Sequence, residues 1–249
     1  RLRGRVFSVY LVVSSLGPML GQMAMTLYDT RLDEKPLTLA AMACALCLVP
    51  LTVVSSTHPA IPRPAPLGID YYLRRVPTAL LVLFVSGLVL GAFYGLGPVY
   101  AVKVGLTPAQ SAVFMSVVVG CALLSQWPMG WLSDRIGRVR LIRANAVLLA
   151  ALPVLLWGWF APPYWLLLVF ACVQGPLQSS LYPLGVALAN DRIDPDRRVG
   201  MSAIVLMTYG VGACLGPLVV GWLMEISGPS GYYLFVSASA LLLVLLARF

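Results

Sequence analysis

One short segment gathers most of the side chains in this sequence that could do chemistry. Residues 130–140 read GWLSDRIGRVR, which places one carboxylate among three guanidinium groups. Asp134 would suit the N-terminus of a neighbouring helix, where the helix dipole favours an anion. Arg135, Arg138 and Arg140 offer it ionic partners and would hold the segment against an anionic lipid surface. We therefore predict an electrostatic latch that gates movement at this point.

The two glycines of this segment are expected to have different structural roles. Gly130 would let neighbouring helices approach closely, and Gly137 permits a sharp turn with positive φ. A simpler interpretation is that the arginines only follow the excess of positive charge found on the cytoplasmic side of membranes. That interpretation explains the charge, but it explains neither Asp134 nor the glycines.

A second group of polar side chains lies inside apolar runs. Gln174, Gln178 and Tyr182 recur at i, i+4 and i+8, which places them on one helix face. Polar groups at membrane depth seek a partner or a water-filled cavity. We predict that this stripe lines a cavity, and hydrogen bonds between helices are the alternative. Weaker cavity candidates are Tyr94, Gln22, Gln126, Thr208 and Tyr209.

Glycines spaced by four occur in two other apolar runs. The run 78–102 carries Gly91 and Gly95 on one face, and the run 199–224 carries Gly212 and Gly216. Such a face either packs tightly against another helix or bends. We regard these four glycines as hinge candidates, with close packing as the open alternative.

No group of residues indicates catalysis, a metal site or a cofactor. The chain has one histidine, His58, and the CxxC spacing of Cys44 and Cys47 has no second pair nearby. We therefore predict no catalytic residue, no metal ligand and no cofactor, and we do not expect an enzyme. Because no charged side chain lies in the middle of an apolar run, a site there would suit a neutral or lipophilic molecule.

The elements that must position these residues are long apolar runs. Hydrophobic residues make up 60% of the chain and charged residues 10%, against about 25% charged in soluble domains. A hydrocarbon core of about 30 Å needs about 20 apolar residues per helix. Backbone groups cannot stay unpaired in lipid, so we predict an all-α polytopic membrane protein with eight transmembrane helices. The runs are 6–28, 37–55, 78–102, 108–130, 141–161, 163–189, 199–224 and 231–248.

The basic residues indicate how these runs are oriented. If the first cluster is cytoplasmic, 14 of the 17 Lys and Arg residues fall on the cytoplasmic side and 3 on the other. Cytoplasmic loops carry such an excess, so we expect both ends of this chain in the cytoplasm. The basic residues are also dispersed in small groups, which argues against a nucleic-acid partner.

A proline-rich stretch, 56–77, divides the chain. Its prolines prevent one continuous helix, and we predict a cytoplasmic linker there. Residues 1–55 would then hold two helices, and residues 78–249 would form a bundle of six. Two helices alone are not a stable unit, so we expect further helices upstream of residue 1.

The segment at 130–140 resembles the loop signature of the major facilitator superfamily, G-x-x-x-D-R-x-G-R-x-R, at all six fixed positions. That superfamily has twelve helices in two halves of six, joined by a cytoplasmic linker. The resemblance implies a partial major facilitator fold, with 1–55 as the last two helices of the N-terminal bundle and 78–249 as the C-terminal bundle. Within the superfamily the chain resembles the bacterial YcaD-like branch, through the segments 91–96, 126–130, 181–183 and 4–5.

Gly17, Pro18 and Gly21 resemble the fifth-helix motif of antiporters in this superfamily, whose core is G-P-x-x-G-G. The sequence departs from that motif at Gln22, where a last glycine is expected, and at Val13, where an earlier one is expected. An offset of 195 residues also superposes Gly17 on Gly212 and Gly21 on Gly216, as in the parallel repeats of some transporters.

These features favour a secondary transporter of small organic molecules that works by alternating access. Export is favoured over import, and a proton is the candidate coupling ion. The resemblance implies a monomer in the bacterial inner membrane, with a small-molecule substrate and the lipid bilayer as partners. A proton-coupling carboxylate would lie in the helices expected upstream. A non-transporting truncated membrane protein and a membrane-embedded lipid enzyme remain alternatives, although the enzyme would need a His-Asp pair or clustered carboxylates.

Overall fold

The computed structural model describes residues 35–46, 48, 49, 68–156 and 163–247, together with Gly17, Leu20, Gly21 and Met23. Helices account for all the regular structure of this part of the chain, and it contains no strand. The α-helices are α1 Lys35–Leu46, α2 Ile69–Arg75, α3 Pro77–Lys103, α4 Pro108–Ile136, α5 Arg138–Ala151, α6 Tyr164–Asn190, α7 Arg198–Ile226 and α8 Gly231–Leu246.

These helices confirm the all-α membrane architecture. Seven of them, α1 and α3–α8, overlap the predicted runs from the second to the eighth, and the first run lies almost wholly outside the described residues. By length and composition α3, α4, α6 and α7 could each cross a membrane, whereas α1 and α8 contain shorter apolar stretches. The other described helix, α2, is a short helix within the predicted linker and is not one of the predicted spans.

Proline and capping residues set the helix ends. Pro77 occupies the first turn of α3 and Pro108 the first turn of α4, where a missing N–H costs nothing. Thr107 caps α4: its hydroxyl accepts a bond from the Gln110 N–H at 3.2 Å, and the Gln110 side chain accepts one from the Thr107 N–H at 3.0 Å. The connection from α3 to α4 is therefore short, and the two helices run in opposite directions.

The predicted fifth run, 141–161, is not one uninterrupted α-helix. α5 ends at Ala151, and a 3₁₀ segment continues from Leu152 to Leu156. Pro153 explains the change because it cannot donate the hydrogen bond that would continue the α-helix and its ring crowds the preceding turn. At its other end α5 starts directly after Gly137, so the signature loop has almost no length of its own.

The six helices α3–α8 pack against one another in one group. The most extensive interface joins α3 to α7, and the next joins α4 to α6. α6 and α8 also contact α3, and α8 closes the group against α5 and α7. α3 is accordingly the most buried span, and residues such as Val82, Leu83 and Val89 have no exposed surface.

A cluster of aromatic rings fills the bundle at the end away from the signature loop. Tyr100 of α3 stacks on Tyr232 at 5.3 Å and meets Tyr233 edge-on at 5.0 Å. Phe170 of α6 meets Tyr233 edge-on at 5.2 Å. Aromatic pairs at these distances stabilise a core beyond their buried area, so this cluster fastens α3, α6 and α8 together.

The outer surface of the bundle is apolar. Large hydrophobic side chains are more than half exposed on several helices, including Leu124 and Trp127 on α4, Leu218 and Trp222 on α7, and Leu245 on α8. A soluble protein does not expose an apolar surface of this extent. The hydrocarbon core of a membrane is the environment in which these helices are stable.

Candidate functional site

The signature loop joins α4 to α5 through a single non-helical residue. Gly137 adopts φ +92°, the left-handed conformation expected of it, which side-chain-bearing residues rarely adopt. The turn places Asp134 and Arg135, in the last turn of α4, beside Arg138 and Arg140 in the first turn of α5. Four charged side chains therefore meet at one end of the bundle.

Arg138 is the arginine of this loop that reaches another helix. Its guanidinium forms an ion pair with the Asp191 carboxylate and donates a hydrogen bond to the Ala187 carbonyl at 2.9 Å. Ala187 lies in the last turn of α6, where the helix dipole favours a cation. The expectation that Arg138 would pair with Asp134 is therefore wrong: its partners belong to α6 and the residue after it.

The other members of the signature have different surroundings. Asp134, Arg140 and Gly130 are exposed, and the Arg135 guanidinium lies 4.0 Å from the centre of the Trp131 ring. Within the described residues, no atom lies within 4 Å of the position that a Cβ on Gly130 would take. The close helix contact expected at Gly130 is thus absent from this part of the structure, because Gly130 faces an opening between α4 and α6.

This opening is a crevice with a volume of about 260 Å³. It leads from the signature loop into the bundle, and both charged and polar side chains line it. The lining residues include Asp134, Arg138, Ser125, Gln126, Ser180 and Gly130. Gln126 is one of the predicted cavity candidates, whereas Ser125 and Ser180 are not, since single serines carry no spacing signal. Asp191, the partner of Arg138, was also not predicted, because a single loop aspartate carries no such signal.

The predicted polar stripe on α6 divides into two environments. Gln174 and Gln178 are 2% and 1% exposed, and the Gln174 amide donates to the Gln178 side-chain oxygen at 3.3 Å. Their burial inside the bundle contradicts the cavity prediction for these two residues. Their mutual bond lies within α6, so hydrogen bonding between helices stays a prediction. Tyr182 is only partly buried, and its ring meets that of Tyr209 on α7 at 5.0 Å.

Tyr94, on α3, is 50% exposed. It therefore has the accessibility that a cavity-lining residue needs, as do the partly buried Tyr182 and Tyr209. Thr208 is also partly buried, and Gln22 lies outside the described residues.

The glycine candidates on α3 and α7 lie where the two helices touch. A Cβ on Gly91 would lie 2.4 Å from the Ala213 carbonyl oxygen, and one on Gly212 would lie 2.3 Å from the Phe84 carbonyl oxygen. For Gly216 the nearest atom is the Leu88 carbonyl oxygen at 2.2 Å. Gly95 faces the Pro217 ring at 3.0 Å. These contacts support close packing over a hinge.

The antiporter-like motif is described only at two positions. Gly17 and Gly21 are exposed, and among the described residues nothing lies within 4 Å of a Cβ placed on either. Pro18 lies outside the described residues.

Comparison with known proteins agrees with this architecture. Residues 79–249 match the family model of the Major Facilitator Superfamily. The chain is 30% identical over its whole length to the MFS-type transporter YcaD of Escherichia coli (strain SE11), and equally similar to YcaD of Shigella flexneri. It covers 64% of each relative, so it spans less than two thirds of their length. With its packed helices, its signature loop and these matches, the chain belongs to the Major Facilitator Superfamily and resembles the YcaD transporters over its full length.

Proposed function

We propose that this chain is part of a secondary active transporter that moves small organic molecules across the bacterial inner membrane by alternating access. In such carriers two helix bundles rock about a site near the middle of the membrane. Family membership supports transport as the activity. The observation that carries the proposal is the signature loop at one end of a six-helix group whose spans bear charge only near their ends.

The proposed organisation follows the predicted division of the chain. Residues 78–249 form the C-terminal bundle, 56–77 are the cytoplasmic linker, and 1–55 contribute the last two helices of the N-terminal bundle. The mutual packing of α3–α8 supports the first assignment. The excess of Lys and Arg on one side supports placing both ends of this chain in the cytoplasm.

Proton-coupled efflux is the proposed mode of coupling. The resemblance of Gly17, Pro18 and Gly21 to an antiporter motif supports it. A proton-coupled carrier needs a buried ionisable group. In α3, α4, α6 and α7 no Asp, Glu, Lys, Arg or His lies between the first and last turns. On this proposal the coupling carboxylate belongs to another part of the transporter, and the six described helices contribute the substrate-facing wall.

Asp134 is the proposed latch residue. The Arg138–Asp191 ion pair holds the signature loop against α6, while the Asp134 side chain remains exposed. An exposed carboxylate at a fixed position is suited to engage a helix N-terminus on the opposite bundle when the cytoplasmic side closes. Breaking that contact would change the balance between inward-facing and outward-facing states.

The test uses the product of the complete gene, reconstituted in vesicles with an imposed proton gradient. Uptake and counterflow are measured for a panel of neutral and cationic organic compounds. We expect gradient-driven transport of at least one compound, and an initial rate at least tenfold lower in Asp134→Asn. Asp70→Asn is the control, because Asp70 is an exposed carboxylate that pairs with Arg74 within α2.

Two results would overturn separate parts of the proposal. If no compound shows gradient-driven uptake or counterflow, the protein is not a secondary transporter of such molecules. If Asp134→Asn transports as fast as Asp70→Asn, transport stands and the latch role of Asp134 is wrong.

A further inference from the structure

Three tyrosines with accessible rings lie on three helices that contact one another, α3, α6 and α7. The rings of Tyr182 on α6 and Tyr209 on α7 meet edge-on, 5.0 Å apart with an angle of 68° between their planes. Tyr94 lies on α3, which contacts both α6 and α7. We call these three side chains the tyrosine platform.

Glycines on α3 bring the helices of the platform together. A Cβ on Gly87 would lie 2.2 Å from the backbone oxygen of Tyr209, and one on Gly91 would lie 2.4 Å from that of Ala213. The backbones of α3 and α7 are thus in direct contact at the level of Tyr209. Because backbone fills this contact, the partly accessible rings of Tyr94 and Tyr209 do not lie between the two backbones.

Exposure separates the platform from the aromatic residues that only fill the core. Tyr100, Tyr232 and Tyr233 are each 1–2% exposed and pack on one another. Tyr94 is 50% exposed, and Tyr182 and Tyr209 are partly buried. A packing role does not need accessible rings, whereas a binding role does.

The charges around the platform limit the ligands that it could bind. In α3, α4, α6 and α7 the charged residues all lie in a first or last turn: Lys103, Asp134, Arg135, Arg198 and Glu225. An anionic ligand would find no Lys or Arg at the level of the platform among these helices. A small, strongly hydrated metal cation would find no carboxylate there to offset the loss of its water.

We propose that Tyr94, Tyr182 and Tyr209 bind an amphipathic organic cation of the quaternary ammonium class through their ring faces. The face of an aromatic ring carries partial negative charge, and clustered rings recognise such cations without a carboxylate. The apolar groups of the ligand would lie against the surrounding helix surface. This inference rests on the proposed transport function and names the substrate class of its site.

The test compares two ligands of the same shape on the purified product of the complete gene. Phenylpropyltrimethylammonium carries the charge, and its tert-butyl isostere replaces the nitrogen with carbon. Equilibrium dialysis gives a Kd for each. We expect the wild-type protein to bind the cation at least tenfold more tightly than the isostere.

Substitutions then separate ring contacts from general packing. Tyr94→Leu, Tyr182→Leu and Tyr209→Leu should each weaken cation binding by about 3- to 30-fold, the range of a cation–π contact, and leave the isostere unchanged. The matching Phe variants keep the ring face and should stay within about threefold of wild type. Tyr94→Leu is decisive, because a half-exposed side chain disturbs folding least. Trp127→Leu, at an 81% exposed aromatic residue on α4, is the control that should change neither Kd.

Several outcomes would contradict the proposed binding of cations by the tyrosine platform. They are equal binding of cation and isostere by wild type, equal losses for both ligands in Tyr94→Leu, and no binding of either ligand. Failure of the platform is distinguishable from failure of the proposed function. If other compounds are transported while the cation preference is absent, the platform alone is wrong; if the cation binds as expected and nothing is transported, the transport proposal is wrong.

Discussion

Arg138 is the residue of the signature loop whose contacts are best defined. It meets the carboxylate of Asp191 and the last-turn carbonyl of Ala187, so one guanidinium satisfies two acceptors at the end of α6. Arg135 instead covers the Trp131 ring, and Arg140 is exposed. The three arginines therefore share a sequence motif and differ in what they stabilise.

A double-mutant cycle should resolve the Arg138–Asp191 pair. The two side chains are 29% and 53% exposed, so solvent screening limits the coupling energy to about 0.5–1 kcal/mol. Arg138→Ala should cost about 1 kcal/mol more than Asp191→Ala, because it also removes the bond to the Ala187 carbonyl. Denaturant unfolding in detergent micelles measures these differences.

Arg140→Ala serves as the control for that cycle. Its exposed side chain should change stability by less than about 0.5 kcal/mol. A coupling energy near zero between Arg138 and Asp191 would show that the ion pair does not hold the loop against α6.

At the scale of elements, the close contact between α3 and α7 depends on glycines, which have no side chain. Gly87, Gly91, Gly212 and Gly216 each place backbone of one helix against backbone of the other. In lipid, helices associate through close van der Waals packing, and small residues at the contact make it possible. This glycine contact between α3 and α7, called here the seam, therefore holds the two helices in a fixed relative position. Movement of one helix against the other would break the most extensive interface of the bundle.

Gly212→Ala should destabilise the protein by about 1–3 kcal/mol, the usual cost of overpacking. Its new Cβ would lie 2.3 Å from the Phe84 carbonyl oxygen, so α3 and α7 must separate. Gly210→Ala is the matched control on the same helix, since nothing lies within 4 Å of its Cβ among the described residues. It should be neutral or stabilise by up to about 1 kcal/mol.

Thermal unfolding of both variants in the same detergent checks this prediction. Equal stability of the Gly212 and Gly210 variants would mean that α3 and α7 can separate at little cost. That result would support the hinge interpretation of Gly212 and Gly216.

The short helix α2, within the predicted linker, contacts the bundle. The Tyr72 hydroxyl donates to the Arg197 carbonyl at 3.1 Å, and the Tyr71 hydroxyl donates to the Asp194 carboxylate at 3.3 Å. The Arg197 guanidinium lies 4.2 Å from the centre of the Tyr71 ring. Through these contacts α2 rests on the connection between α6 and α7, which also holds the Arg138 partner Asp191.

Tyr72→Ala should release α2 from the bundle. The buried ring is lost together with its hydrogen bond, and exposed Arg74 and Arg75 become better trypsin sites. We expect cleavage after these arginines to be about tenfold faster, measured by mass spectrometry of timed digests. Leu73→Ala, at a 54% exposed neighbour, should leave the rate unchanged. Equal acceleration in both variants would contradict the docking of α2 through Tyr72.

At the scale of the whole molecule, the direction of each helix follows from the charges at its ends. The signature loop and the connection between α6 and α7 lie at the same end of the bundle, joined by the Arg138–Asp191 pair. The connection between α7 and α8 lies at the other end and contains Ser227 and Gly228. From the positive-inside rule we expect the arginine-rich end to face the cytoplasm.

Single cysteines at the two ends test this orientation. The five native cysteines are first replaced by alanine. Ser227→Cys should then react with a membrane-impermeant maleimide in intact cells, and Arg140→Cys should react only in inside-out vesicles. Both parent side chains are exposed, so access from water is assured on the correct side. The reverse labelling pattern would overturn the proposed topology.

The sequence alone determined that the described chain is helical, the order of its apolar helices and the identity of the signature loop. A long apolar run in lipid can satisfy its backbone hydrogen bonds locally only as a helix. A turn such as the one at Gly137 needs a residue that tolerates positive φ. These properties depend on neighbours along the chain. Even the interruption at Pro153 has a purely local cause, although the fifth run was predicted without it.

Only the tertiary structure decided what each helix face meets. Periodicity placed Gln174, Gln178 and Tyr182 on one side of α6, yet the first two are buried while Tyr182 borders Tyr209. The same holds for Arg138, whose partner Asp191 is 53 residues away, and for the glycines that meet backbone across the seam. A spacing pattern specifies which residues share a face, but burial and pairing depend on the helix that covers it, and that helix is chosen by packing of the whole bundle.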